Sequence, residues 1–234
     1  MERLDKRLAA SGQWSRKEAK ELIRAGRVSI CGQVCRNPEE KVGEDTLVAV
    51  DGTPIGADAP VYLMLHKPAG VVSATEDGRD RTVLDLLPAQ YQGMGLFPVG
   101  RLDKDTEGLL LITNDGPLAH RLLSPRHHVD KVYYVEVDGT LTQEDVEAVS
   151  QGILLRDGYQ CLPGKLELLP GDCAAYVTIQ EGKYHQIKRM MAARGKPVTY
   201  LKRIRFGGLE LDGELEKGGW RALTAQEIQS LFRQ

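Results

Sequence analysis

The stretch "GRLDKDTEGLLLITNDG", residues 100–116, sets three carboxylates, Asp103, Asp105 and Glu107, directly against the apolar run Leu109 to Ile112. A short apolar run bounded by a turn signal reads as a buried strand, so "LLLIT" puts the acids at the mouth of a core element. Three arrangements would place acid there: a calcium loop, a solvated turn, or a catalytic carboxylate fixed at the end of a rigid strand. The calcium pattern begins well, with Asp103, Asp105 and Glu107 at loop positions 1, 3 and 5 and Gly108 at position 6. It fails at position 12, where a bidentate glutamate is needed and Asn114 stands. The residues between also form a strand where ligands and a helix start are required. The catalytic reading fits where functional groups are commonly mounted, on strand-end loops of a sheet. It demands a cation to hold the acid ionised and a means of gripping the substrate.

Both are available farther along the chain. "SPRHHVDKVYYV", residues 124–135, offers Arg126, His127, His128, Lys131 and a tyrosine pair, and "EGKYHQIKRMMAARG", residues 181–195, offers Tyr184, His185, Lys188 and Arg189. The net charge of −2 is uninformative, but from Lys183 to Arg205 there are eight Lys or Arg and no Asp or Glu. Basic residues interleaved with aromatics suit a phosphate grip beside a stacking platform for a splayed base. A plainer reading stands beside this one. Tyr133 and Tyr134 alternate along a strand, so one should face the core, and helix-borne cations are commonly solvated surface. Other chemistries lack their motifs. There is no G-x-S-x-G and no H-E-x-x-H, and "GYQCLPGKL" has the wrong glycine spacing for a phosphate loop, with Leu166 where a hydroxyl is needed.

The chain's 234 residues and 41% hydrophobic content allow a large domain with a small one. Residues 1–50 read as a compact module. Leu4 and Leu8 lie one helical turn apart with Gly12 as a stop; Ser15 and Glu18 form a capping box for a second helix that Gly26 ends. Ala19, Leu22 and Ile23 make its inward face, and Arg16, Lys20 and Arg24 form a basic stripe on the other, with Arg27 just beyond. Short alternating strands follow in "RVSICGQVCRNPEEKVGEDTLVAVDG". Residues 51–60, rich in Gly, Pro, Ala and Asp, suit a linker. Residues 61–234 then read as an α+β domain with a mainly antiparallel sheet. "VYLMLHKPAGVVSAT" is an alternating strand broken by Pro68 and Gly70; "KVYYVEV" and "AAYVTIQEG" are strands; "TVLDLLP" and "TAQEIQSLF" are helices. No apolar run approaches a membrane span, and the N-terminus is charged from its second residue, so a cytoplasmic protein with no membrane partner is expected. Cys31, Cys35, Cys161 and Cys173 fit neither a zinc ribbon nor a disulfide framework and are expected to be reduced.

Two resemblances give these pieces a context. "RLDKRL", "SRKEA" and "I-x-x-GRV" resemble a small RNA-binding module shared by a ribosomal small-subunit protein, some tRNA synthetases and several RNA-modifying enzymes. In that family the helices present basic residues to structured RNA, which implies Arg16, Lys17, Lys20, Arg24 and Arg27 here. "GRLDKDTEGLLLITNDG" resembles the signature of the pseudouridine synthases that act on ribosomal RNA, "HKPAGVVS" their first motif and "EGKYHQIKRM" their third. Any one motif could arise by chance; the ordered series at these spacings could hardly do so. The series is similar throughout to the RsuA type, which acts on small-subunit ribosomal RNA.

The resemblance implies that Asp103 is the catalytic aspartate, Tyr133 the active-site tyrosine and Lys188 the basic residue paired with the aspartate, with Asp105 and Glu107 only shaping or solvating the loop. Val132 departs from the more usual threonine, but strand neighbours face opposite ways and it should not touch the chemistry. Arg101 is expected to fix the loop and, with Arg126, His127, Lys131, His185 and Arg189, to contact substrate. Lys188 would favour the charged form of Asp103 against burial. Isomerising uridine gains and loses no atom, so neither cofactor, redox partner nor metal is called for. The expected partner is ribosomal RNA, 16S or a small-subunit assembly intermediate, with the chain acting as a monomer. The same chemistry on large-subunit 23S RNA, or a non-catalytic assembly factor with Asp103 as a mere loop acid, are the alternatives.

Overall fold

A computed structural model describes residues 2–11, 14–43, 46, 48–55, 60–91 and 94–231. The chain packs as two compact units, residues 1–60 with 88–95 and residues 61–87 with 96–234.

The first unit contains β1 (Glu2–Arg3), α1 (Leu4–Ala10), α2 (Arg16–Arg24), β2 (Val28–Ile30), β3 (Gln33–Cys35), β4 (Lys41–Val42), β5 (Val48–Val50) and β6 (Thr53–Ile55). An antiparallel sheet of order β3-β2-β5-β6 lies beside a β1–β4 pair. Leu4 and Leu8 of α1 and Ala19 and Ile23 of α2 are fully buried against Val28, Val48 and Val50, and Leu22 packs at the edge of that core. The capping box forms: Ser15 N donates to Glu18 Oε2 at 2.7 Å and Glu18 N to Ser15 Oγ at 3.3 Å. Gly26 follows the helix at φ +76°, and a Cβ there would lie 2.6 Å from the Arg36 guanidinium, which donates to the Arg24 carbonyl at 3.1 Å. Only glycine combines that backbone with that closeness. Gly12, and residues 56–59 of the expected linker, lie outside the described residues.

Arg16, Lys17, Arg24 and Arg27 are exposed and Lys20 half-buried, but the stripe is internally anchored. The fully buried Asp5 carboxylate accepts from Arg3 at 3.0 Å and lies 3.6 Å from Arg16 Nε and 3.9 Å from Lys20 Nζ. Burial pushes the Asp5 carboxyl up; hydrogen bonding from Arg3 and the charges of Arg3 and Arg16 outweigh it and hold it below the usual range. Arg27 is paired with Asp51.

The second unit contains β7 (Tyr62–Lys67), β8 (Phe97–Pro98), β9 (Glu107–Thr113), α3 (Gly116–Leu123), β10 (Lys131–Val137), α4 (Gln143–Gln151), β11 (Lys165–Leu168), β12 (Ala174–Ile179), α5 (Gln186–Ala193), β13 (Val198–Phe206), β14 (Leu209–Glu210), β15 (Trp220–Ala222) and α6 (Ala225–Ser230). Its mixed sheet runs β11-β12-β10-β13-β9-β7-β15, with β14 on β13 and β8 on β9. Every pairing is antiparallel except β13 with β9, so the expected mainly antiparallel sheet is present. The unit has two cores, and β13 contributes to both, Leu201 to one and Phe206 to the other. In the first Val149 of α4 and Ile187, Met190 and Met191 of α5 pack with Val135, Val177 and Leu201. In the second Ala119 and Leu122 of α3 pack with Met64, Leu109, Leu111 and Phe206.

Two sequence expectations need correction. β7 is not half-buried: Leu63, Met64, Leu65, His66 and Lys67 are all buried, because the strand lies between β9 and β15 with both faces covered. "TVLDLLP" makes only a 3₁₀ turn at Leu84–Leu86. The Asp85 carboxylate folds back onto Thr82 N at 2.7 Å and Oγ1 at 3.0 Å, and Leu87 is already extended, at ψ 147°, ahead of Pro88. The final helix does form, with a Thr224–Glu227 capping box. Among the described residues no helix is long and apolar enough to cross a membrane.

Candidate active site

Asp103 sits in the loop that leads into β9, and three features of the sequence fix that loop. Lys67, the last residue of β7, is fully buried and donates to the carbonyls of Asp103 at 3.0 Å, Lys104 at 3.3 Å and Thr106 at 2.8 Å. Burial lowers its pKa to about 8, and the nearby carboxylates Asp105, Asp103 and Glu107 limit the fall. Ser73 Oγ holds Leu102 from both sides, donating to its carbonyl at 2.9 Å and accepting from its N–H at 3.1 Å. Gly70 N donates to the Lys104 carbonyl at 2.8 Å. The run "HKPAGVVS" therefore acts as a clamp on the backbone that carries Asp103.

The three acids do not converge. Asp103, its side chain 25% exposed, meets Lys188 Nζ at 3.1 Å and His185 Nε2 at 3.5 Å. Asp105, its side chain 74% exposed, takes the same ammonium at 2.5 Å, which holds its carboxyl below the usual range. Burial works against the Lys188 charge, but the two carboxylates outweigh it and raise its pKa. Glu107 turns inward instead, accepting from the Tyr200 hydroxyl and Lys217 Nζ, each at 2.7 Å. Of the two roles expected for Glu107, shaping or solvating the loop, burial leaves the first: it anchors the base of β9.

Asp103 opens onto a pocket walled by Leu102, Tyr133, Ile179, Ile187 and Leu201, with Arg101, Lys183 and His185 also lining it. Of the tyrosine pair, Tyr133 faces this pocket and is buried, while the Tyr134 hydroxyl donates to Glu136 at 2.7 Å and its ring meets Tyr176 and Tyr200 edge-on. Val132 lines a different cavity, with Tyr176 and Arg205. A carboxylate held by an ammonium beside apolar walls and a phenol ring suits a flat, uncharged ring.

A model of the RNA pseudouridylate synthase family matches residues 61–193, and one of the S4 domain matches residues 2–48. The chain belongs to the RNA pseudouridine synthase family. It is 48% identical to the uncharacterized RNA pseudouridine synthase YtzG of Bacillus subtilis, over 98% of each chain. It is 40% identical to ribosomal small subunit pseudouridine synthase A of Escherichia coli, over 98% of this chain and 99% of that one. A crystal structure of a pseudouridylate synthase superposes with a TM-score of 0.70 at 36% identity, covering 99% of this chain and 100% of the other.

For this pseudouridine synthase, the expected substrate contacts divide. Arg101 and His185 line the pocket. Arg126 and His127 are exposed on the Pro125–His127 turn and do not line it. Arg189 is drawn to Asp157 and to the Tyr184 carbonyl. Lys131 does not line the pocket either: its buried ammonium donates to the carbonyls of Val129 at 3.0 Å and Gln180 at 3.3 Å, which braces the core. Lys67 and Ser73 were missed as individual residues. An Asp105→Asn enzyme should leave Lys188 wholly to Asp103 and change kcat by less than about fivefold, the scale of an exposed ion pair. Lys188→Met should cost about a hundredfold, because it strips the ammonium paired with the Asp103 carboxylate at 3.1 Å. Parallel turnover assays of the two variants check this ordering.

Proposed function

We propose that this enzyme converts one uridine of small-subunit 16S ribosomal RNA to pseudouridine, acting as a monomer in the cytoplasm, with Asp103, Tyr133 and Lys188 as its catalytic residues. The N1–C1′ bond breaks, the uracil turns, the C5–C1′ bond forms, C5 loses a proton and N1 gains one. Asp103 initiates the exchange as nucleophile or base, with Lys188 at 3.1 Å holding its orientation. Tyr133 stacks on the freed uracil and keeps it over the sugar. The target base is flipped from its helix, at a cost of a few kcal/mol that contacts to neighbouring phosphates offset.

The observation that carries this reading is the Asp103–Lys188 pair, 3.1 Å apart at the edge of a pocket that Tyr133 lines. The name of the Escherichia coli relative, which spans the same length, supports the small subunit as target. Transcripts of both ribosomal RNAs carrying 5-tritiated uridine test it: tritium should be released from the small-subunit transcript, or from a partly assembled small-subunit particle. Release from the large-subunit transcript alone would reassign the target, and release from neither, with RNA binding retained, would favour an assembly factor.

Salt dependence tests the first unit. Each neutralised phosphate contributes about −0.9 for duplex and −0.7 for single strand to the log–log slope of affinity. With Arg16, Lys20 and Arg27 already facing acids, the slope from this unit should lie between about −2 and −4. A flat response would remove the basic helix from the interface.

A further inference from the structure

Tyr184 is the most exposed aromatic among the described residues, 76% exposed, yet it is not a loose side chain. Its ring stacks on His185 with centroids 3.8 Å apart and planes 19° from parallel. Its carbonyl accepts from Arg189 Nη1 at 3.3 Å, and Gln186, buried just beyond it, accepts from Lys183 N at 3.0 Å and donates to Glu181 at 2.8 Å. His185 sits in the left-handed region, φ 47° and ψ 35°, a conformation an L residue holds only where its surroundings impose it. One of those surroundings is Asp103, whose Oδ1 lies 3.5 Å from His185 Nε2. The imidazole is thus sandwiched into the site on one side, and the phenol it carries offers its other face outward.

An outward aromatic face, stacked on a histidine that lines the pocket, has the geometry of a base-stacking platform. Its place excludes the target uracil, which needs the interior position beside Tyr133. We propose that Tyr184 stacks on the nucleobase adjacent to the target uridine, completing a stack of imidazole, phenol and base that holds the neighbour while the target is turned, and that makes Tyr184 a specificity-determining residue. This rests on the proposed uridine isomerisation and adds to it a second nucleotide contact. Stacking is open to every base, so the platform selects for an unpaired neighbour more than for its identity.

The test uses the full chain and a synthetic RNA hairpin centred on the converted uridine, labelled with tritium at C5. Tyr184→Ala should lower kcat/KM about tenfold, mainly through KM, the scale of losing one base–aromatic stack; Tyr184→Phe should restore most of the loss and Tyr184→Leu should not. Because the side chain is exposed, thermal midpoints of all three should match that of the unsubstituted protein. A second set of hairpins replaces the nucleotide on either side of the target with an abasic sugar. With one of these, the unsubstituted enzyme should fall to the level of Tyr184→Ala, and the variant should lose nothing further. Equal kcat/KM for Tyr184→Ala and the unsubstituted enzyme, or losses that simply multiply with both abasic hairpins, would overturn the platform while leaving the isomerisation intact. Absence of tritium release by the unsubstituted enzyme would overturn both.

Discussion

Asp103→Asn is expected to lower tritium release from 5-tritiated RNA by about four orders of magnitude or more, the scale of removing a nucleophile or base from a site with no substitute. Asparagine keeps the size of the side chain, and the loop beneath it is held by bonds that the substitution leaves alone: Lys67 and Ser73 grip backbone atoms of residues 102–106. The fold and RNA affinity should therefore persist. What is lost is the charge that Lys188 faces at 3.1 Å and His185 at 3.5 Å. Asp105 will not take over, although it already holds Lys188, because it points outward, 74% exposed, and is absent from the pocket wall. A chelator should leave the unsubstituted enzyme unaffected, since Asp103 and Asp105 share the Lys188 ammonium and Glu107 is held by Tyr200 and Lys217. Measurable turnover by Asp103→Asn above a thousandth of normal would remove the assignment.

Gly108→Ala should destabilise the second unit by about 3–5 kcal/mol, combining a strained backbone with overpacking. Gly108 lies at φ +105° in β9, opposite Arg203 across the parallel pairing with β13. A Cβ there would stand 2.2 Å from the Arg203 carbonyl oxygen and 2.7 Å from its nitrogen. Backbone atoms cannot swing aside as a long side chain would, so the strands must part. Arg203 is itself buried, its Nε donating to the Leu109 carbonyl at 2.8 Å, and parting the strands would break that bond too. The seam joins the two cores of the unit two residues beyond the Lys67-held carbonyl of Thr106, so activity should fall with stability. Chemical denaturation of the second unit within the full chain checks the first effect and tritium release the second. An unchanged denaturation midpoint would mean that the seam does not bear on folding.

The fold is legible in the sequence to different depths in different places, for physical reasons. Strands β9, β10 and β12 were legible because their apolar runs were short, rich in branched or aromatic residues and bounded by turn residues. The capping box at Ser15 and Glu18 is a local device and formed as read. Helices α3 and α4 went unread although both carried start signals, Asp115 capping Leu118 and the Thr142–Asp145 box; short helices beside strong strand patterns offer little periodicity. Lys67 and Lys131 show the limit of reading charge as surface. Both are buried because backbone carbonyls from distant loops satisfy them, and no local pattern encodes that. The roles proposed for Asp103, Tyr133 and Lys188 come from motif resemblance; what the fold adds is that residues 103, 133 and 188, far apart in sequence, come together, Asp103 and Tyr133 lining one pocket and Lys188 paired with Asp103.

The most direct test of the account is chemical mapping of pseudouridine across total ribosomal RNA from cells that lack this gene, complemented with either the unsubstituted chain or Asp103→Asn. The account predicts that one pseudouridine of the small-subunit RNA is missing without the gene, returns with the unsubstituted chain and stays missing with Asp103→Asn. An unchanged map in the deletion strain, or full restoration by Asp103→Asn, would contradict it.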